Sequence, residues 1–267
     1  MRIEIDRVNK CFGGVHALED VSLEFPEGAV TAIIGPNGAG KTTLFNVIAG
    51  FLTPDSGSVD LIITGDDAKP GAGCKTETKV NLVGLRPHLV AELSVGVLFQ
   101  DVRVFPRLSA LDNVACAAKN QKGEEPWNSL LRPKMVALQE AENIKNAKRL
   151  LDRVGLIDKA HLMAEQLSYG QQKLVAIARL LAGDASVLLL DEPTSGVHPI
   201  MIDKLLELIQ SLAIDDRRTV LMIEHNLNVV RRIGDWVYLM ENGRVEVFGT
   251  PDEVLGSRAL RRVFPTL

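Results

Sequence analysis

The chain has 267 residues, 46% hydrophobic and 24% charged, enough to bury a sizeable core in one large domain or two small ones. Thirty lysines and arginines against 34 acids leave a net charge of −4, without the basic excess of a dedicated nucleic-acid binder. Apolar runs are short: Leu174-Val175-Ala176-Ile177-Ala178 stops at Arg179, well under the roughly 18 residues of a membrane span. The start, Met1 to Arg7, alternates charged with apolar residues and lacks a signal-peptide core. Cys11, Cys74 and Cys116 are widely spaced and form no metal-ligand pair. A soluble, intracellular chain without disulfides is expected.

In chain order, Ile3, Ile5 and then Val8, one place out of phase, predict a half-buried strand ending near residue 8. Val21 to Phe25 alternates again, and Pro26-Glu27-Gly28 supplies a turn. Ala29 to Ile34 is almost wholly apolar, as in a strand covered on both faces, and a glycine-rich turn leads into a helix over Thr42–Ala49. Residues Gly65 to Val80 read as an exposed loop. Amphipathic helices are predicted over Leu138–Val154 and Ser168–Ala182. Ser186–Leu190 and Thr219–Ile223 are further buried strands, with a helix between them marked by Ile202, Leu205, Leu206 and Ile209. Asn242-Gly243 joins two short strands as a hairpin, and Thr250-Pro251-Asp252-Glu253 carries the signals of a helix start. The class is α/β, with a mostly parallel sheet.

Gly35-Pro36-Asn37-Gly38-Ala39-Gly40-Lys41-Thr42 fits the phosphate-binding pattern G-x-x-x-x-G-K-[ST]. Random placement at this composition gives the pattern in roughly one chain in 150. The plainer reading is a glycine turn with an exposed lysine, but the run lies between a buried strand and a helix, as phosphate binding requires. Glycines let backbone N–H groups converge on phosphate oxygens, Lys41 would reach the β- and γ-phosphates, and the Thr42 hydroxyl would ligate Mg²⁺. Asp191 and Glu192 end the second buried strand. They cap the next helix, or Asp191 holds the Mg²⁺ shell while Glu192 orients or deprotonates a water. His225 follows the next strand at the same sheet edge; a lone histidine is more often structural, and that position favours a γ-phosphate contact. Ser168, with Gln171 three residues on, is a capping box, and equally a helix N-terminus able to bind an anion. Spacing alone does not separate these two readings.

Gly35–Thr43, Gln100, Leu167–Gln172, Leu190-Asp191-Glu192-Pro193 and His225 follow one another in the order seen in ABC-type ATPases. Along nearly its whole length the chain resembles the nucleotide-binding subunit of an ABC transporter. Tyr169, where many members have glycine, resembles the branch that serves branched-chain amino-acid importers, as do Phe99 to Phe105 and the long 118–150 segment.

The resemblance implies one ABC ATPase domain over 1–267. Its P-loop α/β core (1–100 and 181–250) would carry an antiparallel β subdomain and an inserted helical subdomain at about 101–180, and 251–267 would be a C-terminal helical tail. It also implies roles for individual residues. Glu192, His225 and Gln100 are the catalytic set. Phe12 would stack on adenine, and Gly35, Asn37, Gly38, Gly40, Lys41, Thr42 and Thr43 would hold ATP. Ser168 and Gly170 would reach the γ-phosphate of ATP bound by the opposite subunit, so two copies sandwich two nucleotides. Thr42, Gln100 and Asp191 would serve Mg²⁺.

Implied partners are integral membrane permease subunits, a second ABC ATPase (identical or a paralogue) and, indirectly, a solute-binding protein, with no nucleic acid. The implied place is cytoplasmic, on the inner face of the cell membrane. The function implied is energising import of branched-chain amino acids or related amides and urea. The alternatives are a lipid or lipopolysaccharide exporter and a soluble ABC ATPase outside transport. Ser195-Gly196-Val197-His198 departs from members that end this loop in aspartate.

Overall fold

The computed structural model describes residues 1–65, 76–124, 127 and 131–264. The chain divides into two compact units, the first of residues 1–97, 186–193 and 206–267, the second of residues 98–185 and 194–205.

In the first unit β1 (Arg2–Phe12) and β2 (Val15–Phe25) form a hairpin. The predicted end of β1 near residue 8 is corrected: the strand runs on to Phe12. Arg7 has φ 46°, and the pairing register shifts between Ile5 and Val8. This bulge absorbs one residue and returns Val8 to the buried face, which explains the phase slip in the sequence. β3 (Val30–Ile34) is buried throughout.

β4 (Ser56–Gly65) and β5 (Thr76–Asn81) complete an antiparallel sheet ordered β2-β1-β4-β5. Residues 76–80 are therefore strand rather than the expected loop, paired Val80 with Leu61, Lys79 with Ile62 and Thr78 with Ile63. The polar composition of β5 hid it, since its ladder is backbone and its side chains make ion pairs, Lys79 to Asp60 (3.2 Å) and Glu77 to Arg2 (2.8 Å). The rest of that expected loop, 66–75, lies outside the described residues.

β3 belongs to a second sheet with β6 (Val95–Leu98), β7 (Val187–Asp191), β8 (Thr219–Ile223), β9 (Trp236–Glu241) and β10 (Arg244–Gly249), in the order β10-β9-β3-β8-β7-β6. β9, β3, β8 and β7 pair in parallel, and β10 adds an antiparallel edge through Asn242 (φ 49°) and Gly243 (φ 78°). Those two left-handed residues are what a two-residue turn of this kind needs. The apolar strands are buried because Leu189, Leu221 and Ile223 share a core with Leu44 and Ile48 of α1 (Lys41–Ile48) and with Ile3, Val21 and Phe25 of the antiparallel sheet. Each such side chain contributes about 1.5–3 kcal/mol.

α2 (Pro87–Glu92) precedes β6. The second unit contains α3 (Ala110–Ala115), α4 (Pro133–Arg153) and α5 (Tyr169–Ala182), which pack on one another. α4 starts five residues before its predicted Leu138, at Pro133, where the missing N–H of proline costs nothing in a first turn. α6 (Pro199–Ile214), α7 (Leu227–Ile233), α8 (Pro251–Leu255) and α9 (Arg258–Val263) follow. No helix among the described residues is long and apolar enough to cross a membrane.

Asn113, fully buried in α3, fixes the loop before that helix. Its Oδ1 accepts from Phe105 N (2.8 Å), and its Nδ2 donates to the carbonyls of Phe105 (2.9 Å) and Ser109 (3.0 Å). Asn113→Ala leaves Phe105 N without its acceptor, while the carbonyls of Phe105 and Ser109 keep the backbone N–H groups of Leu108 and residue 113. The change is expected to cost about 1–3 kcal/mol, read from the midpoint of urea unfolding.

Candidate active site

In the first unit the parallel register sets the geometry. Ile33 of β3 pairs with Ile223 of β8, which pairs with Asp191 of β7, so the three carboxyl ends lie level. Ligands of α/β sheets bind at such an edge. The glycine-rich loop leaves β3 here, Asp191 and Glu192 leave β7, and His225 follows β8.

The loop is held by close backbone contacts that only glycine permits. A Cβ on Gly35 (φ 152°) would lie 2.1 Å from the Met240 carbonyl oxygen, and one on Gly40 (φ 98°) 2.3 Å from that of Ala17. Gly243 N donates to Ala39 O at 3.1 Å, tying the loop to the β9–β10 turn. Asn37, Gly38 and Thr42 stay exposed at the rim, Thr43 is half-buried, and Gly40 caps α1. Amides at this N-terminus can therefore meet an anion.

Lys41 is only 6% exposed, and its Nζ donates to the carbonyls of Gly35 and Pro36, both at 2.8 Å. Burial pulls its ammonium below the ordinary lysine range, while the negative charges of Glu192 and Asp191 act in the opposite direction. A phosphate in the loop would add to that opposing field and favour the charged lysine.

Glu192 has φ 46°, a left-handed backbone that costs a non-glycine residue about 1–3 kcal/mol. Its N–H donates to Ile223 O at 3.0 Å, so the ladder of the sheet maintains the conformation. Its Oε1 lies 2.9 Å from His225 Nε2. Glu224, buried beside them, was not singled out in the sequence. Its Oε2 accepts from the backbone N–H groups of His225 (3.2 Å) and Asn226 (3.4 Å), fixing the turn that presents the imidazole. The only signal for it is a charged residue directly after an apolar strand.

Phe12 ends β1 at 45% exposure, with the Lys10 ammonium 5.4 Å from its ring centroid.

The second unit carries Gln100, Ser168 and Gly170. Ser168 caps α5: Gln171 N donates to its Oγ (3.4 Å), and its own N–H donates to Gln171 Oε1 (3.1 Å). Ser168 is exposed and Gly170 is buried, where a Cβ would meet Val197 Cγ1 at 3.2 Å. Gln100 is exposed, and its carbonyl accepts from the Tyr169 hydroxyl at 2.8 Å. Lys173, fully buried, donates from Nζ to Ser195 O at 2.7 Å. Neither the Tyr169 nor the Lys173 contact was read from the sequence, because both target backbone carbonyls.

For Mg²⁺, the donors offered are the Thr42 hydroxyl and the Asp191 carboxylate, both hard oxygens. Among the described residues no three His, Cys, Asp or Glu side chains form a metal-holding group. One carboxylate and one hydroxyl are donors that suit a Mg²⁺ ion whose other ligands are water and substrate phosphates.

Comparison with known proteins matches residues 18–195 to the ABC transporter family. The chain is 33% identical over 253 residues to the high-affinity branched-chain amino acid transport ATP-binding protein LivG of Salmonella typhimurium, covering 95% of this chain and 93% of the relative. It is 34% identical to the glutamate transport ATP-binding protein GluA of Corynebacterium glutamicum, covering 94% and 91% respectively. Among solved structures, the ADP conformation of an ATP-binding cassette of an ABC transporter superposes with a TM-score of 0.78 at 29% identity, over 100% of both chains.

Replacing Lys41 by alanine removes the buried cation and its charge-assisted bonds. ATP affinity, measured by titration with a fluorescent ATP analogue, is expected to fall about 10- to 100-fold; unchanged affinity would count against this loop as the phosphate site.

Proposed function

The chain belongs to the ABC transporter family as one of its ATP-hydrolysing, nucleotide-binding subunits, and on that premise we propose that it energises import of branched-chain amino acids or of a related amide such as urea. Subunits of this family dimerise and work with membrane permease components. The observation that carries the catalytic reading is the convergence of the glycine loop, the Asp191–Glu192 pair and His225 at one level of the parallel sheet. The solute reading rests on similarity to the LivG transport protein over 95% of the chain, together with Tyr169 at the start of α5.

In this mechanism the amides of Gly35 to Thr43 and the Lys41 ammonium bind the β- and γ-phosphates, with Asn37 and Gly38 at the rim. Lys41 exchanges its bonds to the Gly35 and Pro36 carbonyls for phosphate oxygens, while the glycine contacts with Met240 and Ala17 keep the shape of the loop. Phe12 stacks on adenine. Thr42, Asp191 and Gln100 provide oxygens for Mg²⁺, which supplies charge neutralisation on the phosphates when bound. Glu192 accepts a proton from the attacking water, and His225 keeps the Glu192 carboxylate pointed at that water. The water oxygen bonds to the γ-phosphorus, the bond to the bridging oxygen breaks, and ADP leaves with that electron pair. Ser168 and Gly170 of one subunit contact the γ-phosphate held by the other. Loss of the γ-phosphate then removes the advantage of the closed pair, and the resulting opening drives the permease. A solute-binding protein delivers the cargo, and the subunit sits on the inner face of the membrane.

Glu192→Gln keeps the shape and hydrogen bonding of the site but removes its base. Turnover is expected to fall at least about 100-fold with ATP binding retained. Normal hydrolysis by this variant would remove Glu192 from the role of base. The import reading is checked by crosslinking the chain in membranes of its source and identifying what is recovered. Permeases with a periplasmic or surface protein that binds branched-chain amino acids or amides are expected. A glutamate-binding partner would reassign the solute, and ribosomal, DNA-repair or cluster-assembly proteins without a permease would overturn transport.

A further inference from the structure

The first turn of α5 gathers two loops of the second unit. The Tyr169 hydroxyl donates to Gln100 O at 2.8 Å. The ring of the same tyrosine lies against Gly196, where an added Cβ would come within 2.9 Å of Cε1 and 3.1 Å of Cδ1. One turn further on, the Lys173 ammonium lies 5.3 Å from that ring centroid and donates to Ser195 O at 2.7 Å. Tyr169 is thus bonded to the Gln100 segment at its tip and packed on the 195–196 segment along its face. Lys173 holds the second segment through the Ser195 carbonyl, and as a fully buried cation it has little freedom to move away.

From this geometry we infer that Tyr169 is a positioning residue for Gln100, tying the Gln100 backbone to the loop that follows the Asp191–Glu192 pair in sequence. The inference rests on the role given to Gln100 under the proposed function. A carbonyl held at a fixed point limits rotation of its peptide group and so narrows the range of positions open to the side chain on the same residue. The aromatic body cannot shift without disturbing Gly196, whose φ of 69° and lack of room leave it no alternative residue. Displacement of the 195–196 loop is therefore passed to Gln100 through one rigid ring, with both contacts inside one protomer.

The test compares Tyr169→Phe, Gln100→Ala and the double variant as full-length chains. Tyr169→Phe removes the hydroxyl and keeps the ring on Gly196. Two readouts are used: Mn²⁺ affinity in the presence of a non-hydrolysable ATP analogue, followed by electron paramagnetic resonance, and the separate kcat and KM for ATP. Tyr169→Phe is expected to weaken Mn²⁺ binding and lower kcat by about three- to tenfold, with KM for ATP unchanged, as loss of one neutral hydrogen bond implies. The double variant is expected to lose no more than Gln100→Ala alone. If Gln100→Ala reduces both quantities while Tyr169→Phe matches the parent protein, or if the two losses multiply, the positioning role is overturned. A fall in melting temperature of Tyr169→Phe with Mn²⁺ affinity intact overturns it too, since the hydroxyl would then serve only the fold. If Gln100→Ala leaves both quantities unchanged, the role of Gln100 itself fails, and the inference about Tyr169 falls with it.

Discussion

The site depends on the lateral pairing of three short strands. β3, β8 and β7 are apolar almost to their last residue, and their parallel hydrogen bonds bring Ile33, Ile223 and Asp191 to one level. Strands covered on both faces have no polar side to orient, so the polar groups they position come from their last residues or from those just past their ends. The glycine loop, the two acids and His225 occupy those places. Because each strand is locked to its neighbour by several backbone bonds, the polar groups inherit a common origin that none of their own contacts could define.

That dependence explains which parts were legible in the sequence. The unbroken runs at Ala29–Ile34, Ser186–Leu190 and Thr219–Ile223 are plain signals of buried strands, and the glycine spacing from Gly35 to Gly40 is tied to its mechanism. Asn242-Gly243 and the Ser168–Gln171 box are local chemistry, read from a few neighbouring residues. β5 was missed because it opens Thr-Glu-Thr-Lys and its stability comes from a partner strand some fifteen residues away. The extension of β1 was missed because a bulge changes the count by one. In both cases the decisive information lies in pairing, which periodicity along one segment does not contain.

The same division runs through the site. Glycine, lysine and paired acids were recognisable as types, whereas Glu224, Tyr169 and Lys173 act on backbone atoms of residues that any sequence would provide. A side chain whose partner is a carbonyl or an amide leaves no complementary residue to search for. Such supports are found only when the chain is folded, and they account for most of what distinguishes an oriented group from one that is merely nearby.

The left-handed backbone at Glu192 bears on when order is established. Its N–H is held by Ile223 and its carboxylate by His225, both partners within the chain itself. The entropy of fixing that acid is therefore lost once, as the sheet assembles, instead of in each cycle of the motor. The strain at this acid is thus a property of the folded sheet, built in by the same bonds that align the strands.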